Sequence, residues 1–226
     1  HKGTANVLTV SGFIGHVMTV ECVFDLSNQE KKGGLTSSGN LQKVLQESLT
    51  IARIVAFNFL PEDKVKEMAG MSVHVHFLQG GTPKDGPSAG VSICSALLSL
   101  MLNKPIPSHI SMTGELSLNG DVCKIGGVQA KVTASKTLGI NTILLPWGNK
   151  NDFSELPDLL KEGLTVYFVK EYQEVFNILF GESVESLQGI DKFVGPEKKE
   201  EQPAPKINIP SNSNAYVSME ESQEKK

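Results

Sequence analysis

The segment from Ser88 to Leu102, SAGVSICSALLSLML, constrains the fold of this chain more than any other. It carries no charge and is apolar nearly all round, so a helix built from it has no face to offer water. It therefore predicts a buried helix, ended by the polar and proline-bearing stretch Asn103 to Pro107.

The flanking patterns supply the cover. Residues 5 to 24 read as two strands around a Ser11–Gly12 turn, with β-favouring residues at Val17, Thr19 and Cys22 to Phe24. Residues 27 to 37 read as a polar loop. Leu41, Val44, Leu45, Ser48, Ile51, Ala52 and Val55 recur at helical spacing, which predicts a long amphipathic helix capped by Asn40 and running to Asn58. MSVHVHFL alternates as a strand does. ISMTGELSLNGDVCKIGG predicts short strands with Asn119–Gly120 as a hairpin turn. Val128 to Leu138 predicts a helix stopped by Gly139. NTILLP and LTVYFV read as strands, with one short helix between them near Asn151 to Leu160 and a last helix from Glu171 to Phe180. These elements predict an α+β domain over 1–186, with short twisted sheets packed against several helices. Residues 187–226 are rich in Lys, Glu, Pro, Ser and Asn and predict a disordered tail.

Composition removes several function classes. A net charge of −4 offers no basic field for nucleic acid. No apolar run is long enough to span a bilayer. Three cysteines without regular spacing, Cys22, Cys94 and Cys123, argue against a disulfide framework and for a reducing compartment. His74 and His76 alternate on one strand without a further ligand nearby in sequence, so no metal site is expected. The first residue is His and no signal peptide follows, so the chain reads as a fragment of something longer.

The candidate chemistry centres on GGTPKDGPSAG, residues 80 to 90, in which Gly86 to Gly90 spell G-x-S-x-G. A hydrolase elbow would need an acid and then a histidine after Ser88. The only later histidine is His109, with no acid between them. A phosphate loop would need Gly-Lys-Ser/Thr, whereas Lys84 precedes Asp85. Two readings of Ser88 remain: a helix cap, shared with Asp85 as a candidate, or a nucleophile served by a lysine whose amine burial keeps neutral. Lys131 shares a helix stripe with Val128, Val132, Ser135 and Leu138, so its side chain points inward. Such a lysine is either a snorkelling stem or a base. Lys136 lies at the edge of the stripe and is the weaker candidate.

PKDGPSAG, MTGELSLNG and IGGVQAK together resemble the proteolytic domain of the Lon ATP-dependent protease, in its A-type form. The likeness covers about residue 70 to residue 180. The family's Gly-Leu-Ala-Trp-Thr stretch has no counterpart in NVLTVSGFIGHVMTVEC near the start. The resemblance implies that Ser88 is the nucleophile and Lys131 the general base of a Ser–Lys dyad. It also implies that Thr113 orients the lysine and that Asp85 and Glu115 are supporting polar groups. Backbone N–H groups around Asp85 to Ser88 would meet the oxyanion. It implies no metal or cofactor in this domain, with ATP and Mg used by an upstream AAA+ module. Unfolded or damaged proteins would be the substrates of a homohexameric ring. Bacterial cytoplasm is the first assignment of compartment and the mitochondrial matrix the alternative. Two other functions stay open: a non-catalytic interaction platform on the same fold, and a stand-alone Ser–Lys peptidase without an ATPase.

Overall fold

The computed structural model describes residues 1–27, 33–181 and 184–197. The chain opens with an antiparallel hairpin, β1 (Thr4–Ser11) and β2 (Ile14–Phe24), turning at Gly12. The polar segment expected as a loop to residue 37 ends instead in a short strand, β3 (Leu35–Ser38). Then come α1 (Lys43–Asn58), α2 (Glu62–Ala69), β4 (Val73–Phe77) and the predicted buried helix, α3 (Gly90–Met101). β5 (Ile110–Met112) leads to the small hairpin of β6 (Glu115–Leu116) and β7 (Val122–Cys123). α4 (Val128–Thr137) and β8 (Thr142–Pro146) follow. The single helix expected near residues 151 to 160 is broken by Pro157 into α5 (Lys150–Ser154) and α6 (Asp158–Lys161). The described chain closes with β9 (Thr165–Val169), α7 (Tyr172–Phe180) and β10 (Asp191–Val194).

The α+β reading holds, and most of the strands form one eight-stranded sheet in the order β10-β9-β8-β5-β1-β2-β4-β3. β2 and β10 run against the other six strands. The C-terminal ends of β1, β4 and β5 therefore gather at one edge of the sheet, where chains of this kind of architecture place their sites.

Strand alternation explains the two cores. Val7 of β1 and Leu144 of β8 face the cluster that contains α1, α3 and α7. Their neighbours Leu8, Ile143 and Leu145 face the opposite cluster, with Val128 and Val132 of α4, Phe153 and Leu156. α3 is buried along nearly its whole length, as its composition requires. Its Ser92, Ser95 and Ser99 are tolerated there because each hydroxyl donates to a backbone carbonyl: Met112, Val91 and Lys104 respectively. His74 and His76 bond to Thr36 and Ser38 across the β3–β4 pair, and no group of three or more His, Cys, Asp or Glu among the described residues could hold a metal ion. No helix among them is long and apolar enough to cross a membrane.

The stretch assigned to a disordered tail from residue 187 begins with structure. β10 pairs antiparallel with β9, and the Phe193 ring lies 5.1 Å from that of Phe153 in an edge-on contact. The sequence signal is weak because β10 is a four-residue edge strand, two of whose residues are charged and only one of which, Phe193, packs on the core. The rest of the expected tail, from residue 198, lies outside the described residues. A chain ended at Gln188 should therefore melt below one ended at Glu197. Phe193→Ala alone should cost about 2 kcal/mol in denaturant titration, since it empties a partly buried aromatic site. Equal midpoints would show that β10 contributes nothing.

Candidate functional site

Pro87–Ala89 form a 3-10 turn that runs straight into α3 and carries Ser88, half-buried, to the sheet edge. The carbonyl oxygen of Ser88 accepts two bonds, from the Gly114 N–H at 2.8 Å and from Thr113 Oγ1 at 3.1 Å. The backbone of the serine is thus fixed to the residues that follow β5.

Lys131 approaches from α4, on the far side of the sheet. It is 2% exposed, and its Nζ donates to Thr113 Oγ1 at 3.0 Å. Thr113 has one hydroxyl proton, already given to Ser88, so toward Lys131 it can only accept. A neutral Lys131 can donate one N–H to Thr113 and keep its lone pair free for another proton. Among the described residues no carboxylate pairs with Lys131. Burial lowers its pKa from the ordinary 10.5 to about 8.

Two close approaches bring α4 this near. A side chain on Gly15 would run into the Ala130 carbonyl, and one on Gly127 into Val10. Gly127 also takes a left-handed φ of 72°, at the N-terminus of the helix.

Ser88 and Lys131 line one cleft of about 470 Å³, together with Thr9, Val10, His16, Met18, Phe77 and the loop Thr82–Pro87. Among the described residues no hydrogen bond joins Ser88 Oγ to Lys131 Nζ. Such bonds commonly tighten only when substrate is bound.

The structure places Asp85 differently from its expected role. Its Oδ1 accepts from the Leu45 N–H at 3.1 Å, in the first turn of α1. It is the cap of that helix, supplied from 40 residues away, while Asn40 sits at φ 62° and Gln42 makes no side-chain cap. Asp85 still borders the cleft. Glu115 is exposed in β6, opposite Cys123, and is not among the cleft residues. Lys136 stays outside the cleft and donates to the carbonyls of Leu159 and Glu162.

Sequence reasoning missed Lys84. It is 8% exposed and donates its three N–H groups to the carbonyls of Gly39 at 2.9 Å, Gln79 at 2.6 Å and Thr82 at 3.0 Å. Its own backbone bridges the 40–42 segment: its N–H donates to Asn40, and its carbonyl accepts from Gln42. The loop before Ser88 is thereby fixed to the start of α1. A lone lysine in a polar loop gives no sign of three carbonyls that meet only in the fold.

A family model described as the Lon protease (S16) C-terminal proteolytic domain matches residues 1–182. The chain belongs to this family. It is 41% identical over 200 residues to the mitochondrial Lon protease homolog of Yarrowia lipolytica, covering 86% of this chain and 16% of that protein. It is 42% identical over 176 residues to the mitochondrial homolog of Ostreococcus lucimarinus, covering 77% and 19%. The mitochondrial homolog of Rattus norvegicus is 43% identical over 156 residues, covering 68% and 16%. The chain thus spans less than a fifth of the length of these relatives. The Lon-type match reaches residue 1, so it includes the β1–β2 hairpin whose sequence lacks the family's tryptophan-bearing stretch.

The sign of the pH effect on stability follows from the lowered lysine pKa. Between about pH 8 and 10.5 the unfolded chain binds a proton at Lys131 that the folded chain does not, so this group makes folding more favourable as pH rises through that window. Below pH 8 both states are charged and the folded state bears the cost of burial. Lys131→Met should therefore be at least as stable as the parent at pH 7, and its advantage should shrink between pH 8 and 10.5. Urea titrations at pH 7 and pH 10 measure this. A Met variant less stable than the parent at pH 7 would mean that the ammonium is well accommodated.

Proposed function

We propose that this chain is the peptide-bond-cleaving part of an ATP-dependent Lon-type serine protease, acting through Ser88 and Lys131. The observation that carries the reading is a buried lysine amine in the cleft of Ser88 that, among the described residues, has no counter-ion and bonds only to the Thr113 hydroxyl, which accepts from it.

Neutral Lys131 takes the proton of Ser88 Oγ, and the oxygen attacks the scissile carbonyl. The lysine then gives that proton to the departing amine, which leaves an acyl-enzyme. The same amine takes a proton from the water that attacks the acyl carbonyl, and returns it to Ser88 Oγ as the acyl C–O bond breaks and the acid product leaves. Thr113 holds the amine in place throughout. Backbone N–H groups around Asp85 to Ser88 stabilise the oxyanion. The chemistry in this domain calls on no metal or cofactor; ATP and Mg would be used by an upstream AAA+ module. Unfolded proteins are the proposed substrates, and a hexameric ring the proposed assembly. Of the two compartments considered, the relatives' names favour the mitochondrial one. The interaction-platform alternative rested on the altered amino-terminal stretch. That stretch forms β1 and β2 and gives Thr9, Val10, Ser11, His16 and Met18 to the cleft.

A serine-reactive fluorophosphonate tests the pairing by mass mapping. The parent chain should acquire one adduct at Ser88, Ser88→Ala should acquire none there, and Lys131→Met should react at least about 100-fold more slowly. Ser88→Ala should keep its fold, since it loses one hydroxyl. A Met variant labelled at the parent rate would remove Lys131 from the mechanism.

A further inference from the structure

We propose that Asn149 is a positioning residue for the general base: its amide clamps the backbone of Ile125 and so sets how deeply α4 holds Lys131. This rests on the reading of Lys131 as the base.

Asn149 ends the 3-10 turn Trp147–Asn149 that follows β8, and it is fully buried. Its Oδ1 accepts from the Ile125 N–H at 3.0 Å, and its Nδ2 donates to the Ile125 carbonyl at 2.7 Å. These are the two bonds that a paired strand residue would make. Nδ2 also donates to Asp152 Oδ2 at 2.7 Å, and Asp152 is paired in turn with Lys124 at 3.1 Å. The carboxylate of Asp152 is held below its ordinary range by the Asn149 and Lys124 bonds. The amide cannot reverse, because its NH₂ would then face the Ile125 N–H and its oxygen the Asp152 carboxylate. Lys124, Ile125, Asn149 and Asp152 close one ring around a single backbone position.

The clamp acts on the segment that leads into α4. The helix starts at Gly127 with no side-chain cap. Gly126 and Gly127 join Ile125 to Val128, and the Lys131 N–H donates to the Gly127 carbonyl at 3.0 Å. Two glycines in succession give this link the widest conformational freedom a chain can have. With Ile125 released, the first turns of α4 can shift, and water can reach an amine whose pKa is lowered because water is kept away.

Other titratable groups lie on the cleft wall and on the elements packed against α4. His16, Lys84 and Asp85 line its cleft. Lys136 lies on α4 itself, Lys150 and Asp152 on α5, and Asp158 and Lys161 on α6. Burial, and not any of these charges, is what lowers the Lys131 amine.

The test is the pH dependence of peptide hydrolysis by the full chain, compared with Asn149→Ala and Asp152→Ala. In the parent, kcat/KM should rise through a midpoint near 8. In Asn149→Ala the midpoint should move up towards the ordinary lysine value. kcat at pH 8 should fall about 100-fold while KM changes little, as expected for a misplaced catalytic group. Asp152→Ala leaves the Ile125 bonds possible but frees the amide to turn, and its midpoint should move the same way by less. Asp152 is partly exposed, so this variant decides the matter even if Asn149→Ala does not fold. Midpoints that stay at the parent value, whatever happens to thermal stability, overturn the proposal. A parent profile without an inflection near 8 would sink the lysine-base reading and this inference together, which separates the two failures.

Discussion

Among the described residues Lys131 Nζ has one partner, the Thr113 hydroxyl at 3.0 Å, and no carboxylate answers its charge. Lys84, in the same cleft, shows what the alternative looks like. It too is buried, and burial lowers its pKa as well, but three carbonyl oxygens accept hydrogen bonds from its Nζ, and these favour the ammonium. The same side chain is thus used in two ways within one cleft. Three acceptors make it a charged clasp for a loop. One hydroxyl, itself committed to Ser88, leaves an amine able to take a proton.

The rest of the fold delivers these two environments to the same place. α3 must be buried for its composition, and burying it under the sheet brings its leading turn, with Ser88, to the C-terminal ends of β1, β4 and β5. α4 must cover the other face of the sheet, with Val128 and Val132 in that core. Lys131 belongs to the same stripe, but it reaches the sheet edge, where Thr113 joins it to the Ser88 backbone. The proposed nucleophile and base therefore come from opposite faces of one sheet, and Thr113, which follows β5, bonds to both residues.

Much of this was legible because it is local. The all-round apolarity of Ser88 to Leu102 required burial, and the helical period placed Lys131 inward without any knowledge of its surroundings. The failures are non-local or lie at edges. The carboxylate of Asp85 caps a helix through Leu45, 40 residues earlier, whereas the local pattern points to Asn40. Asn149 finds its partner 24 residues back. β3 and β10 are four-residue strands at the two edges of the sheet, where polar residues dominate and alternation is too brief to read. The family resemblance implies Glu115 as a supporting group, but its side chain lies exposed on the β6–β7 hairpin, outside the residues that line the cleft.

The central claim is that burial alone keeps the Lys131 amine ready to accept a proton near neutral pH. The most direct measurement is the titration of its own signal by nuclear magnetic resonance in a chain carrying 13C-enriched lysine, with the resonance assigned by its loss in Lys131→Met. The expected result is that this signal titrates near pH 8. A Lys131 signal that titrates near the ordinary value of 10.5 would contradict the account, because the amine would then be protonated throughout the range in which the proposed base has to work.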